Sequence, residues 1–123
     1  MKQVLVSDDS ATMRRMVIAS LRGLSGVRCD EAANGLEAIE RLSLEPIDLM
    51  IVDLNMPDMH GLEVVQFVRR HAVFQGIPII VLTTRGDEES RSAALAAGAT
   101  VYLTKPFEPQ ELAARAKELL RLD

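Results

Sequence analysis

The chain has 123 residues, 48% of them apolar and 26% charged, with a formal net charge of −4. This length can bury one sizeable core, so a single domain over residues 1–123 is expected. The acidic balance, with no Lys/Arg-rich run or aromatic-interleaved basic patch, argues against direct nucleic-acid binding. No apolar run approaches the roughly 20 residues a membrane span needs.

The amino terminus enters a short strand-like segment without a signal-type apolar stretch, so the expected compartment is the cytosol. Gln3 to Ser7 reads as that strand and ends at Asp8 and Asp9. Ser10 or Asp9 can cap the helix that follows, in which Met13, Met16, Val17, Leu21 and Leu24 recur at helical spacing. Gly23 and Gly26 stop it. A more polar strand, Val27 to Glu31, holds the only cysteine, Cys29, read as an ordinary half-buried residue that can form no internal disulfide.

Gly35 to Leu44 is a second helix, with Leu36, Ile39 and Leu42 on one side, and Pro46 ends it. The apolar strand Leu49 to Val52 then carries a carboxylate, Asp53, to its carboxyl end and breaks into a loop through Asn55, Pro57 and Gly61. A third helix from Gly61 is expected to bury Val64, Phe67 and Val68.

Gly76 and Pro78 introduce Ile79 to Leu82, an unbroken apolar run that fits a strand covered on both faces and ends at Thr83 and Thr84. Asp87 to Ala97 is a helix with a thin stripe of Ala93, Ala94 and Ala97, which makes it the least firmly packed; Gly98 stops it. Val101 to Leu103 is a fifth strand closing at Lys105-Pro106. The last helix, Pro109 to Leu122, is expected to bury Leu112, Ala116 and Leu119. Strands alternating with helices predict an α/β fold, a doubly wound parallel sheet of five strands with five helices on its two faces. In such a sheet the functional crevice lies beyond the carboxyl ends of the strands.

Those ends carry Asp8 and Asp9, Asp53, Thr83 and Lys105. Carboxylates brought within a few ångströms repel by about 4 kcal/mol per close pair at an intermediate effective dielectric. One lysine does not offset this, so either their pKa values rise or a divalent cation sits among them. Hard oxygen donors favour Mg²⁺. Carboxylates, Mg²⁺, a lysine and a hydroxyl suit phosphoryl transfer, which needs charge neutralisation and alignment, and an aspartate can itself take the phosphoryl group.

The segments Ser7-Asp8-Asp9-Ser10, Asp53-Leu54-Asn55-Met56-Pro57, Leu82-Thr83-Thr84 and Tyr102-Leu103-Thr104-Lys105-Pro106-Phe107 occur in order along the whole chain. Together they resemble the receiver domain of bacterial two-component response regulators, most nearly the single-domain chemotaxis regulators. The resemblance implies a flavodoxin-like strand order of 2-1-3-4-5. It makes Asp53 the phosphoacceptor, with Mg²⁺ bound by Asp9, Asp53 and the backbone carbonyl of Asn55, and by Asp8 through a water. It gives Thr83 and Lys105 the phosphoryl oxygens, Tyr102 a rotamer change that follows Thr83, and Lys105-Pro106 a cis peptide. The implied partners are a histidine kinase and a downstream protein target such as a flagellar motor switch protein. The implied switching face is built from the fourth helix, fifth strand and fifth helix, and the protein is expected to be monomeric.

Two positions depart from the family pattern. Thr84 stands where Ala or Gly is common, and Arg85 where an acidic or amide side chain often assists water attack, so slow loss of phosphate is expected. An aspartate-nucleophile phosphohydrolase is the competing enzyme reading, but Asn55 lacks the general acid that chemistry needs two residues after the nucleophile. A degenerate scaffold is the third. His60 and His71 read as a loop residue and a helix-end residue, Arg14-Arg15 as a solvated helix face, and the six methionines as core filler.

Overall fold

A computed structural model describes residues 1–122. Five strands, β1 (Lys2–Ser7), β2 (Val27–Ala32), β3 (Leu49–Val52), β4 (Ile79–Thr83) and β5 (Val101–Thr104), alternate with five helices. The helices are α1 (Ala11–Leu21), α2 (Gly35–Leu44), α3 (Gly61–Arg70), α4 (Glu88–Ala97) and α5 (Pro109–Leu119). The sheet order is β2-β1-β3-β4-β5, and each adjacent pair is parallel.

Alternation along the strands divides the core into two layers. Leu5, Met50, Val52, Ile79, Val81 and Tyr102 face α2, α3 and α4, packing with Ala38, Leu42, Val64, Val68 and Ala94. Val4, Val6, Leu49, Ile51, Ile80 and Leu82 face α1 and α5, packing with Val17, Leu21, Leu112 and Ala116. The central strands are therefore apolar on both sides, and only their carboxyl ends can carry polar groups.

Caps fix the helix starts. Ser10 Oγ accepts from the Met13 amide, Asn34 Oδ1 from Glu37 and Asp87 Oδ2 from Ser90. Gly98, at φ 118°, ends α4 in the left-handed region.

Several helix faces differ from the spacing-based expectation. Met16 is 51% exposed and Leu36 59% exposed, because α1 turns Val17 and Leu21 inward and α2 turns Gly35, Ala38 and Leu42 inward. Gly35 is pressed against the backbone of Met59, which leaves no room for a side chain there. Leu24 lies beyond the end of α1 yet still packs on the core. In α3, Val65 is buried while Phe67 is only partly so. In α4 only Ala94 is fully buried and Ala93 is exposed, a thinner stripe than expected. At the end of α5, Leu119 is half-buried and the residue after the helix, Leu120, is buried. Of the methionines, Met50 and Met56 are core residues, whereas Met1 and Met16 are exposed.

Candidate functional site

The backbone carries the sheet's ladder just past the strand ends and so fixes the loops there. The Asp8 amide donates to the Ala32 carbonyl, Asp53 to Ser7 and Lys105 to Thr83. Asp8, Asp53 and Thr83 are held in place while still nearly closed to solvent, at 4%, 5% and 0% exposure. Asp9 is exposed at the rim. Gly61 begins α3 directly over the Asp53 carbonyl, in a gap that a Cβ would close.

Oxygen atoms of Asp8, Asp9 and Asp53 all lie within 4.8 Å of one another. The Lys105 ammonium donates to Asp8 Oδ2 at 2.6 Å and to Asp53 Oδ2 at 3.2 Å. Burial by itself pulls the Lys105 pKa down, but the hydrogen bond to Asp8 and the charges of Asp53 and Asp8 outweigh it and raise the net value. The remaining oxygens accept from backbone: Asp8 Oδ1 from the Ser10 amide at 2.9 Å, and Asp53 Oδ1 from Asn55 at 3.2 Å.

Three carboxylates and one ammonium leave the cluster net negative. All its donors are hard oxygens, and the spacing is close to the roughly 4.2 Å that separates opposite ligands of an ion bound at about 2.1 Å. The cluster could hold a divalent metal ion of the Mg²⁺ type after a small closure.

Thr83 ends β4 beside β3, and its Oγ1 accepts from the Arg85 amide at 3.4 Å. Tyr102 is turned into the core at 8% exposure, its hydroxyl donating to the Arg85 carbonyl. Burial first, and the Asp87 charge second, raise the Tyr102 pKa. The Lys105-Pro106 peptide is cis, as the resemblance implied.

Sequence reasoning missed what Asn55 does with its side chain. Arg85 Nε donates to Asn55 Oδ1 at 2.8 Å, and Asn55 Nδ2 lies 3.5 Å from Thr84 Oγ1. The two residues that depart from the family pattern thus hold the amide that follows Asp53 by two positions. Arg14 was also missed: its side chain is not on a solvated face but is 15% exposed, against Glu31 and the loop of Asp8. Neither contact has a local signal, since each joins residues that only the fold brings together.

Other candidates lie apart from the acidic cluster. His60 is the residue before α3, its Nδ1 3.0 Å from the Met56 carbonyl. His71 ends α3 and stacks on Phe74 at a centroid distance of 4.1 Å. Cys29 is half-buried, as expected, and burial raises its thiol pKa.

Known proteins share this sequence pattern and this fold. The chain is 40% identical over 119 residues to the chemotaxis protein CheY homolog of Campylobacter jejuni, covering 96% of this chain and 92% of that protein. It is 38% identical over 120 residues to the phosphate regulon transcriptional regulatory protein PhoB of Pseudomonas aeruginosa, but spans only 52% of that longer protein. Among solved structures, a response regulator of Chloroflexus aurantiacus superposes with a TM-score of 0.91 at 38% identity, covering 98% of each chain. The chemotaxis response regulator CheY4 of Vibrio cholerae does so with 0.87 at 37% identity, covering 97% of this chain and 98% of that one. Residues 4–117 match the response regulator receiver domain family. The chain belongs to that family, the phosphoacceptor signalling domains of two-component response regulators.

Proposed function

We propose that this receiver takes a phosphoryl group from a histidine kinase onto Asp53 in a Mg²⁺-dependent reaction and then engages a downstream protein. The observation that carries the reading is the grouping of Asp8, Asp9 and Asp53 oxygens within 4.8 Å, with Lys105 shared between Asp8 and Asp53. Asp9, Asp53 and the Asn55 carbonyl would hold the ion directly, and Asp8 would hold it through a water. When bound, Mg²⁺ neutralises charge on the incoming phosphoryl oxygens.

An Asp53 carboxylate oxygen attacks phosphorus. The new O–P bond forms as the P–N bond to the donor imidazole breaks, and the departing nitrogen is left to take a proton from solvent. The Lys105 ammonium, already beside Asp53, turns to the phosphoryl oxygens, and the Thr83 hydroxyl donates to another. Phosphorylation adds nearly two negative charges at neutral pH. That charge draws the loop after β4 towards Asp53 through Thr83. Tyr102, tied to Arg85 in the same loop, reports the movement to the face of α4, β5 and α5. The thin packing of α4, with Ala94 alone fully buried, keeps the cost of shifting it low.

The same reading gives the domain catalysis of its own phosphorylation and dephosphorylation, one domain over residues 1–123, a cytoplasmic location and a monomeric state. Among the described residues no helix is long and apolar enough to cross a membrane. Likeness to chemotaxis proteins of Campylobacter jejuni and Vibrio cholerae supports a chemotaxis kinase and a motor-switch type of target. The similarity to a phosphate-regulon regulator supports a second reading, a receiver serving another pathway.

Incubation with Mg²⁺ and a small acyl phosphate or phosphoramidate, followed by intact mass, tests the proposal. Wild type should gain one phosphoryl group and Asp53→Asn none. No gain in the wild type, or an equal gain in the variant, would overturn it. Because Arg85 and Thr84 hold the Asn55 side chain, Arg85→Glu and Thr84→Ala should lose phosphate faster than wild type. Unchanged or slower decay would refute that role.

A further inference from the structure

Asp8 and Asp9 belong to one short loop, and the peptide between them sets where the Asp9 carboxylate points. Asp9 itself is exposed, so its aim depends on that peptide rather than on packing around its side chain. The Asp8 carbonyl, one end of the peptide, accepts from Arg14 Nη1 at 2.6 Å. The same guanidinium donates through Nε to Glu31 Oε1 at 2.8 Å. Arg14 rises from the first turn of α1 and Glu31 from β2, so the fork ties helix, edge strand and acidic loop together. Its fixed planar geometry can serve both acceptors at once, which an ammonium at the same place cannot do in the same directions.

We infer that Arg14 is a positioning residue for the metal-binding carboxylates, holding the Asp8–Asp9 peptide so that Asp9 is presented to the ion. This rests on the Mg²⁺ reading above and adds to it a residue outside the ligand set. Two effects compete when Arg14 is changed. Its positive charge lies beside a net negative cluster, so removing the charge favours a cation there. Removing the hydrogen bond frees the peptide and disfavours the ion. Groups that orient ligands are typically worth ten- to a hundredfold in metal affinity, and the hydrogen bond is short and charge-assisted, so orientation wins.

The test is Mg²⁺ affinity measured by calorimetric titration of phosphate-free protein, with thermal melting to establish that each variant is folded. Arg14→Gln should bind Mg²⁺ roughly tenfold more weakly than wild type. Arg14→Lys keeps the charge and can keep one of the two hydrogen bonds, and should weaken binding several-fold, between the other two. Unchanged affinity in Arg14→Lys with tighter binding in Arg14→Gln is what charge alone produces; that result, or unchanged affinity in both variants, would overturn the inference. If Arg14→Gln does not fold, Arg14→Lys decides alone, because its charge is that of the wild type. Absence of Mg²⁺ binding by the wild type would instead overturn the reading of the whole site, and this inference with it.

Discussion

At the amino-terminal end of the sheet Arg69 carries a half-buried cation to neutral acceptors, whereas at the carboxyl-terminal end Lys105 faces two buried carboxylates with a third at the rim. Arg69 donates to the carbonyls of Gly98 at 2.9 Å, Gln75 at 2.9 Å and Ile77 at 2.6 Å. Its stem fills the space that a side chain on Gly98 would need. A groove of about 570 Å³ near that end is lined by Leu42, Ile47, Val73, Phe74 and Ile77, with Glu45 its one acid. One end thus spends its cation on closing α3, the loop before β4 and the end of α4 into a single unit. The other leaves negative charge unbalanced, at a cost in stability that an additional cation would remove. The difference separates the residues that hold the fold from those that hold the site.

Arg69→Ala should break the first half of that contrast most severely. Three carbonyls near the base would lose a charged donor and the stem's packing would be lost, an expected cost of about 3–4 kcal/mol in urea unfolding. Phosphorylation of Asp53 at temperatures where the variant is folded should be nearly unchanged. A stability loss under about 1 kcal/mol would mean that water replaces the guanidinium and that the base is not the rigid end.

Lys105→Met tests the second half. Asp8 and Asp53 would face one another without a cation, and about 2–3 kcal/mol of stability should be lost at neutral pH without divalent ions, somewhat below the usual cost of breaking a buried pair because the crevice opens to water. The pH dependence carries a definite sign. Lys105 has a folded-state pKa above its ordinary value, so its contribution is complete below that value and is lost as pH rises through the folded one. Wild type and variant should therefore differ below pH 10.5 and converge above it. A gap that stays constant through the alkaline range would assign the lysine's effect to packing.

The same contrast explains what could be read before the fold was known. Asp8, Asp9, Asp53, Thr83 and Lys105 stood out because strands covered on both faces admit polar residues only at their ends. The alternation of strands and helices pointed to a parallel sheet, while the 2-1-3-4-5 order came from family resemblance. Arg69 and Arg14 were not legible, for one shared reason. An arginine on an amphipathic helix reads as solvated unless its acceptors are known, and for each one acceptor lies far along the chain, Gly98 for Arg69 and Glu31 for Arg14, while the nearer ones are backbone carbonyls that carry no side-chain signal. Helix faces failed at Met16 and Leu36 because apolar spacing allows neighbouring stripes, and only tertiary packing chooses between them.

Asp9→Asn gives the smallest and most discriminating change, because the two ends of the molecule call for opposite signs. Asp9 touches little of the core, so its deletion from the cluster mainly relieves repulsion. Unit charges 4 Å apart repel by about 4 kcal/mol at an effective dielectric of 20, and exposure screens most of that. In metal-free buffer the variant should therefore be more stable than wild type by about 0.5–1 kcal/mol. Mg²⁺ at a hundredfold excess over its dissociation constant adds about 2.7 kcal/mol to a protein that binds it only when folded, and a variant missing one ligand should gain far less. The order of stability should then reverse on adding Mg²⁺, while the deficit of Arg69→Ala stays the same with or without the ion. If the variant is no more stable than wild type without Mg²⁺, the charge imbalance at this end is located in Asp8 and Asp53 alone; if it gains as much from Mg²⁺ as wild type does, Asp9 is not a ligand of the ion.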